Sequence, residues 1–434
     1  MVKNQITISS VKSDYSLLAK LYKLQKSLGP EDSFESKEDL EKSIDDYIEW
    51  VRPLFPQNTP IDSLLPPLKT GGDVRRFNRL YRALEAAFNE QSFIDRMSSW
   101  NPQLILTLSN QCDKGCTHCA PDSKINGEVM PYEKIVKLDP RYFGIFNKVA
   151  IGRKGEPMIY NSSEHDLGDV VEYLAEQEVR EITFSLGVFK KQNPKYDEVS
   201  EKLSNTRKRF PNLSLGTRLS YHAYLLKDMS YSELEKYTEA FRYTIDRCAN
   251  FSDQIIISIQ GDEMFPLTHI RRVSALFDAT KEKIFEGFEV SSTDGQTNIT
   301  KNGKSTQLFV QPPTPIMYPK GRFARKLRNE GRYEEYEKLF ASYEDSNYLK
   351  VCPILLNYQD IIVEPNGDTL VCISFLGIGK PPVTNIFNHT YDEVMEHLNN
   401  RFELQKTWLL GHLPEVVHGK ISTCEYKNNC YGSR

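Results

Sequence analysis

The chain has 434 residues, room for two or three domains and an ample core. A net charge of −4 gives no overall attraction to nucleic acid, and no apolar run approaches the length of a membrane span. Eight cysteines, with no basic-then-apolar signal pattern at the start, predict a reducing, cytoplasmic setting and metal ligation rather than disulfides.

The first hundred residues read as helices. Leu17, Leu18, Leu21 and Leu24 mark one, stopped at Gly29-Pro30. A second carries Leu40, Ile44, Tyr47, Ile48 and Val51 on one face, with Ser36 and Asp39 placed as a capping box. After a Pro-rich connector over 58–72, a third runs over about 73–97 on the stripe Val74, Phe77, Leu80, Tyr81, Leu84 and Phe88. These stripes read as packing surfaces.

Next comes a strand-like run at 104–109, followed directly by Cys112, Cys116 and Cys119 in a C-x3-C-x2-C pattern. Three thiolates this close on one loop suit three corners of an iron–sulfur cube and leave one iron open to a ligand. Gly115 lets such a loop curl. The competing reading is zinc, which takes four nitrogen or sulfur ligands in a tetrahedron. His118 adjoins Cys119, a strained pair for one metal, and no second short-spaced pair lies nearby.

From residue 101 strands and helices alternate. Strands are expected at 104–109, 148–152, 181–185, 213–220 and 254–260, and helices at 167–178, 196–209, 232–248 and 267–284. A last strand falls at 287–291 or at 305–310, with Asn302-Gly303 able to turn a hairpin before the latter. Such alternation means parallel strands with helices packed against them, and sites at the C-terminal strand ends. The cysteine loop sits at such an end. Basic clusters at 207–209 and 322–332 read as solvated helix faces, so RNA is not the favoured substrate. Cys248, beside Phe241 and Ile245, reads as packing.

Beyond residue 312 the alternation stops. A helix near 332–343, a hairpin over 360–373 turned at Asn366-Gly367 and a helix from about 392 are expected. Four more cysteines lie here: Cys352, Cys372, Cys424 and Cys430. All four on one zinc ion is a reading that competes with a second iron–sulfur cluster.

The cysteine triad after a first strand resembles the radical S-adenosylmethionine (radical SAM) superfamily. Lys154-Gly155-Glu156-Pro157, after the second strand, resembles its Gly-Gly-Glu-Pro segment, with Lys154 in place of the first glycine. Ser185-Leu186-Gly187, Leu219-Ser220-Tyr221-His222-Ala223 and Ile257-Ser258-Ile259-Gln260-Gly261 are similar to its later strand ends. The spacing from Cys352 through Gly367 to Cys372, Thr384-Asn385-Ile386 and Tyr318-Pro319-Lys320-Gly321-Arg322 resemble the SPASM and twitch extensions of that superfamily. The final pair, Cys424-x5-Cys430, departs from their usual C-x2-C.

The resemblance implies an α/β fold: a partial (β/α)6 TIM-like barrel over 101–312. A helical N-terminal domain over 1–100 and a small twitch-like Fe–S domain over 313–434 would flank it. Cys112, Cys116 and Cys119 would hold a 4Fe–4S cluster with S-adenosylmethionine on its open iron. Gly155, Glu156, Pro157, Ser185, Arg218, Ser220 and Ile259 would contact S-adenosylmethionine. Cys352, Cys372, Cys424 and Cys430 would hold one auxiliary 4Fe–4S cluster.

The implied activity is reductive cleavage of S-adenosylmethionine to a 5′-deoxyadenosyl radical that abstracts a substrate hydrogen. An electron donor such as flavodoxin or ferredoxin is implied as partner. The substrate expected is a peptide or protein side chain, to be crosslinked or oxidised. Oxidation of a sugar-like small molecule, or a non-catalytic zinc or iron–sulfur protein, are the alternatives. Residues 1–100 do not read as the winged-helix module that binds leader peptides in peptide-modifying relatives. No general base is assigned; His222, Asp262 and Glu263 lie near strand ends.

Overall fold

A computed structural model describes residues 36–57, 71–89, 92–93, 102–114, 116, 119, 123–152, 154–190, 193–222, 229–260, 267–293, 296–314, 321–338, 361–371 and 382–417. The chain divides into two compact units. One holds residues 1–100, 341–359 and 395–434; the other holds 101–340 and 360–394.

The first unit is helical where described. Helix α1 (Lys37–Val51) starts at Ser36, whose Oγ accepts the Asp39 N–H at 3.0 Å. It buries Leu40, Ile44, Tyr47, Ile48 and Val51, the stripe expected from sequence. Helix α2 (Gly71–Phe88) is shorter than its predicted span. Tyr47 meets Phe77 edge-on at 5.3 Å, and Trp50 stacks on Tyr81 at 5.4 Å and Phe88 at 5.6 Å. The helix expected around Leu17–Leu24 lies outside the described residues.

The second unit is an α/β structure built on one large mixed sheet. In chain order its elements are β1 (Gln103–Leu106), α3 (Tyr132–Ile135), α4 (Arg141–Ile145), β2 (Lys148–Ile151), the short pair β3 (Asn161–Ser162) and β4 (His165–Asp166), and α5 (Leu167–Glu176). There follow β5 (Glu181–Leu186), α6 (Lys195–Arg209), β6 (Ser214–Tyr221), α7 (Tyr231–Phe251), β7 (Gln254–Gln260) and α8 (Leu267–Ile284). Last come β8 (Glu289–Thr293), β9 (Gln296–Lys301), β10 (Lys304–Thr314), α9 (Gly321–Asn329), β11 (Ile361–Val363), β12 (Asp368–Leu370) and β13 (Thr384–Asn385).

The strand order is β13-β12-β11-β1-β2-β5-β6-β7-β10-β9-β8. The run from β11 to β10 is parallel throughout; the outer pairs at either edge are antiparallel. From β1 to β10 each crossover moves one place in the same direction. With the right-handed crossover usual for βαβ units, the connecting helices fall on one face. Consecutive helices α5, α6, α7 and α8 pack on one another in that order.

The five inner strands and helices α5 to α8 form where the sequence predicts, while α3 and α4 between β1 and β2 were not expected. Capping boxes fix two helix starts, Asp166 with Asp169 and Ser230 with Glu233. Both readings of the last strand form strands, and β10 is the one that joins β7. The Asn302-Gly303 turn has two left-handed residues, φ 51° and 77°, as a tight hairpin requires. Its other arm is β9, which the sequence reading missed. The hairpin turned at Gly367 adds to the sheet beside β1. Among the described residues, no helix is long and apolar enough to cross a membrane.

Candidate functional site

The two faces of the sheet differ in chemistry. On one face Phe184, Thr217, Ile255 and Leu308 stand side by side, as do Leu186, Leu219 and Ile257; all are buried. Phe184 meets Phe251 of α7, and Tyr221 packs on Tyr237 and Phe241 of α7 and Phe277 of α8. This is the helix side. Cys248 is fully buried there, and burial pushes its thiol up.

Alternation sends Thr183, Ser185, Arg218, Ser220, Ser258 and Gln311 to the other face. Ser185 lies beside Arg218, and Ser220 beside Ser258, which in turn lies beside Gln311. Arg218 donates from Nε to Ser258 Oγ at 2.7 Å and from Nη2 to Gln311 Oε1 at 2.9 Å. Ser258 Oγ donates to the same Gln311 oxygen at 2.7 Å. Three of the expected cofactor contacts, Ser185, Arg218 and Ser220, therefore share this polar face. Ile259 does not join them. It pairs in register with Tyr221 and lies buried on the helix side.

The cysteine loop leaves the C-terminal end of β1. Residues 108–112 are laced to 124–130 by backbone bonds, among them Met130 N–H to Leu108 C=O at 2.7 Å and Cys112 N–H to Lys124 C=O at 2.9 Å. The segment after β2 closes on this ladder. Glu156 N–H donates to Gln111 C=O at 2.7 Å, and Gly155 N–H to Ser123 Oγ at 3.0 Å. Ser123 N–H points at Cys119 Sγ, 3.4 Å away. Gly155 has φ +71°, and a Cβ there would run into the carbonyl oxygens of Ser109 and Gln111. Only glycine fits so near the neighbouring chain in that conformation.

From the far side, Arg322 at the start of α9 donates its backbone N–H to Cys119 C=O at 3.0 Å. Its guanidinium reaches Cys116 C=O at 3.2 Å. Cys112, Cys116 and Cys119 are partly buried. Burial, then the neighbouring Cys112 and Cys119, push the Cys116 thiol up to about 12. Burial likewise raises Cys112. Among the described residues, no three Cys, His, Asp or Glu side chains stand grouped as a metal-binding set. Three thiols on one loop suit an iron–sulfur group in donor chemistry.

Glu156 is 2% exposed. Its Oε2 accepts the Gly187 N–H at 2.9 Å and its Oε1 the Met158 N–H at 3.4 Å. Lys114 Nζ, inside the cysteine loop, lies 3.8 Å from Oε2 and 3.2 Å from Asp113 Oδ1. Lys114 also donates to Tyr196 Oη, which hydrogen-bonds Asp113 at 3.1 Å. Burial raises the Glu156 carboxyl, and Lys114 offsets that in part. Pro157 is buried in the same turn.

Lys154 forms a mostly buried ion pair with Glu364, just past β11. Among the described residues, Glu364 Oε1 and Thr107 Oγ1 are buried without a hydrogen-bond partner. His222 is buried, and its backbone N–H donates to Tyr237 Oη at 2.8 Å. Asp262, Glu263, Gly115 and His118 lie outside the described residues, as do Cys352, Cys372, Cys424 and Cys430.

Sequence reasoning missed Lys114, Tyr196, Gln311, Arg322's grip on the loop and the Lys154–Glu364 pair. A charged Lys114 between two candidate ligands was the available signal; the rest depends on contacts distant in sequence. The chain matches no protein-family model and no curated protein sequence.

Proposed function

We propose that this chain is a radical S-adenosylmethionine enzyme whose inner strands form a partial (β/α)6 barrel. The observation that carries the reading is the placement of the cysteine triad. It leaves the C-terminal end of the first of six parallel strands that follow one another in sequence order. A sheet wound in one direction, with helices on one face, is the arrangement that can curl toward a barrel. The polar face with Ser185, Arg218 and Ser220 would then line the interior.

Cys112, Cys116 and Cys119 would hold a 4Fe–4S cluster. Cluster and S-adenosylmethionine, when bound, supply one-electron cleavage of the cofactor and a 5′-deoxyadenosyl radical able to take a substrate hydrogen. Gly155 lets the segment after β2 lie against the loop. Arg322 fixes the two carbonyls on its other side. Arg218, held by Ser258 and Gln311, offers a set cation at the polar face.

The substrate we propose is a peptide or protein side chain, supported by the likeness of the C-terminal cysteine pattern to SPASM and twitch extensions. Cys352, Cys372, Cys424 and Cys430 would hold an auxiliary cluster, with a flavodoxin- or ferredoxin-type donor supplying electrons. Anaerobic reconstitution tests this. The reading expects about eight irons per chain, two cubes' worth, and about half after replacing Cys112, Cys116 and Cys119 with Ala. A protein that takes up zinc and never iron would overturn it.

A further inference from the structure

We infer that Glu156 and Lys114 act together as positioning residues. Their buried pair clamps the cysteine loop to the ends of β2 and β5, so the Glu156 carboxylate is committed to the protein rather than to a ligand. The assignment replaces the cofactor contact expected of Glu156 from sequence. What it implies for a cluster rests on the function proposed above; the clamp itself does not.

Both oxygens of the Glu156 carboxylate have partners within the protein. One oxygen takes the Met158 N–H of its own turn; the other takes the Gly187 N–H at the end of β5 and faces Lys114. Lys114 is only 9% exposed. A lysine so buried must have its charge met. Glu156 and Asp113 meet it, and Tyr196 Oη accepts from it while bonding to Asp113. Lys190 adds a second cation, donating to the Asp113 carbonyl and lying 3.5 Å from its carboxylate. Two cations and two anions balance.

Space agrees with charge. A Cβ on Gly187 would stand 3.1 Å from both Glu156 Oε2 and Lys114 Cε, so glycine lets the three strand ends meet. Tyr196 is fully buried and stacks on Phe189 at 4.5 Å, anchoring the clamp to α6. Lys114 thus joins the loop that carries Cys112 and Cys116 to two neighbouring strand ends at once.

Breaking one partner of a buried pair leaves the other charge unmet, which costs far more than removing both. That asymmetry supplies the test, read by amide hydrogen exchange of segments 110–116 and 185–189. It needs no cluster and no activity. Lys114→Met should speed exchange about a hundredfold. Glu156→Gln keeps a carbonyl acceptor for Gly187 and should speed it about tenfold. The double variant should recover most of the protection lost in Lys114→Met.

Two readouts on reconstituted protein sharpen the role. S-adenosylmethionine affinity in Glu156→Gln should stay within about twofold of wild type. The cluster potential should fall in Lys114→Met and rise in Glu156→Gln, since one loses a nearby cation and the other an anion. A merely structural defect would shift both the same way. If Lys114→Met does not fold, Lys114→Gln serves in its place. Normal exchange in Glu156→Gln with affinity lost tenfold would overturn the clamp and restore a ligand contact. Exchange as predicted in a protein that binds neither iron nor S-adenosylmethionine would uphold the clamp and sink the proposed function alone.

Discussion

The two faces of the central sheet do different work with the same strands. On the helix side, Phe184, Leu186, Leu219, Tyr221, Ile255 and Ile257 are buried, and Phe184 and Tyr221 meet aromatic rings of α7 and α8. On the other, Ser185, Arg218, Ser220, Ser258 and Gln311 present hydroxyls, an amide and a guanidinium, with Arg218, Ser258 and Gln311 linked by hydrogen bonds. Burying apolar area stabilises the fold, whereas hydrogen bonds among polar groups contribute little net stability. Substitutions should therefore separate by face, stability falling on one and cofactor handling on the other.

The largest expected effect is on the helix side. Phe184→Ala removes a ring buried against Phe251 and should cost about 3–5 kcal/mol in denaturant unfolding. A loss under about 1 kcal/mol would mean the core lies elsewhere. Next comes Gly155→Ala at the strand ends, where a left-handed φ and two carbonyl oxygens meet the new methyl. We expect a cost of about 1–3 kcal/mol and a parallel loss of iron uptake, both read on one preparation.

Ser258→Ala, on the polar face, should cost only about 0.5–1.5 kcal/mol. It should nevertheless cut 5′-deoxyadenosine formation, because Arg218 loses its hydrogen bond to Ser258. Equal loss of stability from Ser258→Ala and Phe184→Ala would erase the contrast between the faces.

The smallest effect is a pH dependence at Glu364. Burial holds its carboxyl above the ordinary range, and Lys154 lowers it only in part. A raised carboxyl holds its proton more tightly in the folded chain. Its contribution is thus full below the unfolded value and is lost as pH rises through the folded one. Unfolding compared between wild type and Glu364→Gln from about pH 4 to about pH 7 should show wild type losing ground as pH rises. The opposite slope would mean that Lys154 dominates.

Local pattern carried much of this into view. Period-two alternation placed the inner strands within three residues at either end, and Ser36, Asn302-Gly303 and Asn366-Gly367 marked a cap and two turns that the fold uses. Parity alone put Arg218 and Ser220 on one face. It could equally have removed Ile259, which is one step out of phase with Ser258. The Glu156 clamp was hidden because its partners, Lys114, Gly187 and Tyr196, come from three other segments. No spacing rule brings those together. The Lys154–Glu364 pair spans still more chain and follows from β11 pairing with β1.

Reductive cleavage of S-adenosylmethionine tests the central claim most directly. Protein reconstituted anaerobically, reduced and given S-adenosylmethionine should release 5′-deoxyadenosine, and Cys116→Ala should release none. Cleavage undiminished in Cys116→Ala, or a wild-type protein that holds iron yet releases no 5′-deoxyadenosine, would contradict the account.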